Sequence, residues 1–156
     1  MSRSSKQARR EIACPRCWVA LQQEEVDVRG PNIIIDVCPS CGGIWLDSGE
    51  LNRLLRDRKL SSYLTKHIGT QSKSQLVCPG CGWLMDIETA EEVDVDVCLN
   101  CGGVWLDAGE LEKLKEISSE GFEGDERVKA EERWEELMQR ERESALAGLL
   151  RRLARR

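Results

Sequence analysis

A small α+β protein, built of two tandem modules that are each a β-hairpin with a trailing helix and ending in a long C-terminal helix, is the architecture the sequence predicts. Three observations carry it. Cys38-Pro39-Ser40-Cys41-Gly42-Gly43-Ile44-Trp45-Leu46-Asp47-Ser48-Gly49-Glu50-Leu51 returns sixty residues later as Cys98-Leu99-Asn100-Cys101-Gly102-Gly103-Val104-Trp105-Leu106-Asp107-Ala108-Gly109-Glu110-Leu111. Each copy is preceded by an Asp-Val pair and by an earlier Cys-x-x-Cys, so eight cysteines fall into two matched sets. From Glu126 to the end there is no proline, one glycine (Gly148), and a run rich in Glu, Arg, Leu and Ala. Matched Cys-x-x-Cys pairs at the ends of a hairpin are a metal-binding pattern, so the expected fold is metal-stabilised.

The 156 residues divide into modules of about forty to fifty residues. Modules that short bury too little apolar surface to fold alone and need a metal or disulfides. Residues Met1 to Glu11 are polar and basic, with no apolar leader, and no stretch has the apolar length of a membrane span. The expected location is the cytoplasm, where thiols stay reduced and paired Cys-x-x-Cys motifs hold metal.

Residues 1–12 read as a flexible basic tail. The first module, 13–69, opens with Cys14-Pro15-Arg16-Cys17-Trp18. Val19 to Val28 and Ile33 to Val37 read as strands, joined by the turn signal Arg29-Gly30-Pro31-Asn32. Twenty residues separate Cys17 from Cys38, the length of a hairpin that brings two knuckles together. Asp47 and Glu50 have capping-box spacing, and Leu51, Leu54 and Leu55 make an apolar helix face. That helix either breaks or continues through Leu60 to His67, with Gly69 as a stop. Residues 70–76 read as a polar linker.

The second module, 77–117, repeats the plan with Cys78-Pro79-Gly80-Cys81. Its strands are expected near Trp83 to Glu88 and Glu92 to Val97, with a turn near Thr89 to Glu91. Val93, Val95 and Val97 alternate with Asp94 and Asp96, which predicts one buried and one acidic face. Asp107 and Glu110 repeat the capping-box spacing, and Leu111, Leu114 and Ile117 form the helix face. Residues 118–125, with Gly121 and Gly124, read as a second linker, and 126–156 as an amphipathic helix whose apolar stripe is interrupted at 139–144.

Cys14, Cys17, Cys38 and Cys41 form one expected metal site, and Cys78, Cys81, Cys98 and Cys101 the other. Four thiolates at one point suit tetrahedral zinc, giving two Zn²⁺ per chain, with iron as the less favoured metal. Four thiolates leave no open position for water, so the sites are read as structural and the protein as no enzyme. Gly42 and Gly102 follow the last ligands and let a backbone amide approach the sulfur. Trp45 and Trp105 are read as covers of a small core, and His67, the single histidine, is surplus to two complete sites.

These residues resemble the TFIIB-type zinc-ribbon family of small bacterial and archaeal proteins. The likeness spans residues 13–55 and 77–115, with all eight cysteines, both Trp-Leu-Asp triplets and both Gly-Glu-Leu triplets. It implies zinc ribbons and, through the fold of a general transcription factor, a link to transcription. The Cys-Pro-x-Cys-Gly knuckles also resemble those of rubredoxins, which hold one iron for electron transfer, although one Tyr and one Phe fall short of that family's aromatic core.

The net charge is −5, with residues 76–117 carrying −8, which disfavours generic binding to a phosphate backbone. The leading expectation is a non-enzymatic adapter that binds another protein. A transcription-associated nucleic-acid binder, using Arg16, Arg29, Arg53, Arg56 and Arg58 of the less acidic first module, is the second. A rubredoxin-like one-iron electron carrier is the third. The expected docking element is Ser144 to Arg156, where Leu146, Leu149, Leu150 and Leu153 stand at i, i+3, i+4 and i+7. A partner groove is favoured as its seat over the chain's own ribbons, with their acidic Asp94 and Asp96, and a membrane is the least favoured.

Overall fold

β1 (Gln22–Val26) and β2 (Ile33–Val37) form the first hairpin, in register from Val26 opposite Ile33 to Gln22 opposite Val37. The β-branched Ile33-Ile34-Ile35 run favours extended backbone, and the pleat buries Ile33 and Ile35 while Ile34 points out. The computed structural model describes residues 11–66, 72–122 and 126–155. Of the expected basic tail over 1–12, residues 1–10 lie outside the described residues, as do His67 and Gly69, while Ile12 is held, its carbonyl accepting from Leu21 N–H.

β1 is shorter than the expected Val19 to Val28 strand. The first knuckle claims the missing residues: Cys14 N–H donates to the Val19 carbonyl, and Ala20 bridges Ala13. β1 is also a sheet edge, and its Glu24 and Glu25 keep that edge polar.

After the second knuckle comes β3 (Ile44–Leu46), which the sequence did not announce. α1 (Glu50–Leu55) and α2 (Arg58–Thr65) follow, so the helix breaks rather than continues. The break is built by Arg56 in the left-handed region and by Asp57, whose side chain accepts from Leu60 N–H as an N-cap.

β4 (Ser72–Val77) corrects the expected linker over 70–76. It is an edge strand paired with β5 (Leu84–Ala90), and only Ser74 of its residues is buried. Its inward positions are Ser74 and the half-buried Leu76, which packs on the cluster around the cages, so a polar residue breaks the apolar alternation in sequence. β5 pairs with β6 (Val93–Val97) around a tight turn at Glu91, whose φ is 54°, so Thr89 and Ala90 belong to the strand and not to the turn.

The expected acidic face of β6 is also corrected. Asp94 is exposed and accepts from Thr89 Oγ1, but Asp96 is buried and accepts from Ser74 Oγ of β4. The strand that read as linker is what covers it. Nearby, Asp86 is buried and pairs with Lys73 of β4 at 2.6 Å.

β7 (Val104–Leu106) then leads into α3 (Glu110–Glu120). α3 absorbs Ser118, Ser119 and Glu120, so the expected linker over 118–125 starts late. Gly121 ends the helix in the left-handed region, and Phe122 is buried edge-on against Tyr63, ring centres 5.2 Å apart.

The strand order is β1-β2-β3-β7-β6-β5-β4, one antiparallel sheet of seven strands. The two ribbons meet where β3 pairs with β7: Ile44 opposite Leu106, Trp45 opposite Trp105, Leu46 opposite Val104. Trp45 therefore faces its own repeat equivalent, which places a local two-fold axis between the two indoles. The contact has the self-complementary form of a symmetric dimer interface, inside one chain. α2 lies against β5 and β6, α3 against β6, and α1 touches both helices, so α2 of the first repeat covers strands of the second.

The C-terminal segment is a separate unit, the single helix α4 (Glu126–Ala154). It runs unbroken through the polar stretch 139–144, where Gln139 Nε2 donates to Glu143 Oε1 one turn away. Trp134, Leu137, Leu146, Leu149, Leu150 and Leu153 are exposed on it. Among the described residues no helix is long and apolar enough to cross a membrane.

Candidate metal centres

Each cysteine set is built by two knuckles that fold alike. After the second cysteine, the next amide closes back on the carbonyl of the first: Trp18 on Cys14, Gly42 on Cys38, Gly82 on Cys78, Gly102 on Cys98. That turn needs a positive φ, and Gly42, Gly82 and Gly102 supply it at 74°, 81° and 76°. In the first knuckle Trp18 takes the same conformation, φ 61°, a strained one for a bulky side chain.

The turns bring Cys14, Cys17, Cys38 and Cys41 together, and likewise Cys78, Cys81, Cys98 and Cys101. Within each set all sulfurs lie within 4.8 Å of one another. Cys14 Sγ stands 3.7 Å from Cys41 Sγ, Cys78 Sγ 3.6 Å from Cys101 Sγ, and Cys81 Sγ 3.4 Å from Cys98 Sγ. Sulfurs at about 2.3 Å from a tetrahedral zinc stand about 3.8 Å apart, so the cages have the right size. All eight cysteines are free thiols.

Backbone amides aim at the sulfurs as well. Arg16 and Cys17 N–H reach Cys14 Sγ, Cys41 N–H reaches Cys38 Sγ, and Cys81 N–H reaches Cys78 Sγ, at 3.3–3.4 Å. Glycine amides approach sulfurs too: that of Gly43 is 3.4 Å from Cys41 Sγ and that of Gly103 bonds to Cys101, each one residue beyond the expected Gly42 and Gly102, and that of Gly80 bonds to Cys78. Such donors stabilise thiolate and orient the ligand.

The thiols are unequal. Burial pushes Cys14, Cys78 and Cys101 up, and Cys41 up to about 12. Burial opposes ionisation of Cys38 too, but the amides of Cys41 and Ser40 and the neighbouring thiols outweigh it and bring Cys38 down to about 7. The Asn100 side chain, helped by the Trp83 amide and nearby thiols against burial, brings Cys81 down to about 6. The lowered thiols Cys38 and Cys81 thus stand beside thiols that burial raises, Cys14 and Cys41 in one set and Cys78 and Cys101 in the other, and a bound cation would favour the ionised form of each.

The expected caps are half right. Glu50 reaches back to Asp47 N–H at 2.8 Å, and Glu110 to Asp107 N–H at 2.7 Å. Among the described bonds, neither aspartate side chain caps its helix. The residues preceding α1 and α3 are Gly49 and Gly109, left-handed and without a side-chain cap bond. Asp47 Oδ1 instead accepts from Trp45 Nε1 at 3.2 Å, and Asp107 Oδ1 from Trp105 Nε1 at 3.1 Å. A buried indole N–H needs an acceptor, and the carboxylate two residues on is the nearest.

Trp45 and Trp105 are almost wholly buried, in one apolar cluster with Cys14, Cys38, Cys78, Cys98 and Met85. Of the arginines considered for nucleic acid, Arg16 forks onto Asp107, Nη2 to Oδ2 at 2.7 Å, and Arg53 donates to the Pro31 carbonyl. Arg29, Arg56 and Arg58 are exposed. Sequence reasoning missed the second glycine of each Gly-Gly pair: a Cβ on Gly43 would lie 2.1 Å from Trp105 Cζ2, and one on Gly103 2.1 Å from Trp45 Cζ2. The signal was the doubling itself, since the first glycine alone makes the knuckle turn.

Two four-thiol cages on paired knuckles, each at the base of a β-hairpin and followed by a helix, define a tandem zinc-ribbon protein. The chain belongs to the TFIIB-type zinc-ribbon family, described as transcription factor zinc-finger, which it matches over residues 13–57 and 77–117, together more than half its length. No curated protein and no solved structure gives a significant match.

Proposed function

We propose that the protein is a non-enzymatic adapter: two zinc ions, one in each four-cysteine cage, hold a rigid double ribbon, and α4 docks on another protein. Zinc is supported by the size of the cages, the all-thiolate donor set and the family. With four thiolates on each ion, no coordination position remains for substrate or water, and the metal serves structure. The observation that carries the docking role is the row of exposed leucines Leu146, Leu149, Leu150 and Leu153 on a helix that forms a unit of its own. A row at this spacing matches the helix-in-groove mode of recognition.

The experiment has two parts. Elemental analysis of the purified protein gives two zinc ions per chain; one equivalent of iron per cage and a red colour would instead support the electron-carrier reading. Affinity capture from native extract then compares the zinc-loaded chain with Leu146→Arg/Leu150→Arg. Expected is a defined partner that the variant loses by at least about tenfold, a change of about 1.4 kcal/mol. The same partner held equally by both would move the docking site to the ribbons. The family's description favours one second reading, nucleic-acid binding through Arg29, Arg56 and Arg58. Retention on a nucleic-acid column that falls steeply with salt would support it.

A further inference from the structure

We propose that the two cysteine cages load and release their cations as one cooperative unit, because each cage is completed by the tryptophan of the other repeat. The inference rests on the zinc reading above and goes beyond it.

Trp45 comes from the first ribbon, yet its ring edge sits on the knuckles of the second. A Cβ on Gly103, two residues after Cys101, would meet Trp45 Cζ2 at 2.1 Å, and one on Gly80, between Cys78 and Cys81, at 3.2 Å. That same point at Gly80 lies 3.6 Å from Cys78 Sγ and 3.8 Å from Cys101 Sγ. The indole therefore presses on backbone that faces two sulfurs of the second cage. Trp105 returns the contact at Gly43, two residues after Cys41.

The position that matches Gly80 in the first cage is Arg16, between Cys14 and Cys17, and it makes a different link. Its guanidinium forks onto Asp107, the carboxylate that also accepts the Trp105 indole N–H. One chain of contacts thus joins the first cage, Arg16, Asp107 and Trp105. Another joins Trp45 to the second cage. The two meet where Trp45 and Trp105 stand opposite each other across the β3–β7 pair. The four buried cysteines of both cages share a single apolar cluster with both indoles.

Metal binding in such small modules is coupled to folding. A knuckle without its ion does not hold the glycine seat that the opposite tryptophan needs. The first cation must therefore order its own knuckles and the shared indole interface. The second finds that interface formed and binds more tightly, and the gain is reciprocal. The chain then switches between a metal-free and a doubly loaded form, with little of the half-loaded one between them.

The test is a zinc titration of the reduced, full-length chain, counting chains with no, one and two ions by native mass spectrometry. Independent sites leave about half of the chains or more singly loaded at half saturation. For cages of similar intrinsic affinity, coupling in the usual range of roughly 5–150-fold lowers that fraction below about a third. Trp45→Phe shortens the ring that reaches Gly103 and Gly80; it should still bind two ions at saturation but raise the singly loaded fraction toward half. Trp134→Phe, on an exposed tryptophan of α4, should behave as the parent. Two ions taken up with half or more singly loaded would overturn the coupling and leave the zinc reading standing. A singly loaded fraction that Trp45→Phe does not change would overturn the tryptophan route. A chain that binds no zinc would overturn the zinc reading first.

Discussion

Gly103 carries one of the tightest restrictions in the ribbons. Gly43 and Gly103 do not have the positive φ that marks Gly42 and Gly102, so conformational freedom is not their purpose. They leave room for a ring. Gly103→Ala would drive a methyl group into Trp45 and is expected to destabilise the zinc-loaded protein by about 3 kcal/mol or more, the upper range of overpacking. Gly49→Ala is the control. Its φ is 88° and nothing lies within 4 Å of the added methyl, so the expected loss is only about 1 kcal/mol of backbone strain. Denaturant unfolding of both variants checks the order; equal losses would show that the ring contact is unimportant. The sequence displayed both glycines, but nothing local separates the turn-forming one from the seat. That difference is defined by a side chain about sixty residues away.

At the scale of elements, the start of α3 holds a titration of its own. Glu110 sits in its first turn, and burial raises its carboxyl to about 7; the Asp107 N–H bond lowers it, while the Asp107 and Asp96 charges raise it further. In the unfolded chain the group titrates near about 4.5. Between these values the folded protein binds more protons than the unfolded one, so this contribution is complete below the unfolded value and is lost as pH rises through about 7. Glu110→Gln keeps an acceptor for Asp107 N–H and removes the charge. The stability advantage of the parent over this variant should therefore shrink from about pH 6 to about pH 8 in excess zinc. A difference that stays flat or grows with pH would sink the assignment. The helix starts were legible from the Asp-x-x-Glu spacing, since Glu50 and Glu110 reach back as a capping box requires. The aspartate roles were not, because the competing donors, Trp45, Trp105 and Arg16, reach those carboxylates only in the folded sheet.

For the whole molecule, the sheet unit to Phe122 is expected to unfold as one body. Seven strands run continuously across the two-fold, α2 of the first repeat covers strands of the second, and both indoles share one cluster with the buried cysteines of both cages, so the two ribbons do not have separate cores. Guanidinium unfolding of the zinc-loaded chain, followed by tryptophan fluorescence and by zinc release to a chromophoric chelator, should give coincident single transitions. Release in two steps, one ion each, would show that the ribbons are separate folding units.

By itself the sequence determined the local chemistry. The paired cysteine spacings, the hairpins around Gly30 and Glu91, the burial of Trp45 and Trp105 and the helical reach of residues 126–154 all follow from residue type at short separation. Only the tertiary structure decided how the halves combine. β3 and β7 are three residues long, too short to show a period, and β4 is a largely polar edge whose inward residues are Ser74 and the half-buried Leu76. Their strand character comes from the partners they meet. The exchange of Trp45 and Trp105 depends on shape matched across the two-fold, and so do the Arg16–Asp107 fork and the covering of Asp96 by Ser74. Spacing along the chain sets which atoms can close a knuckle; which surface a side chain finally covers is set by what the rest of the chain brings against it.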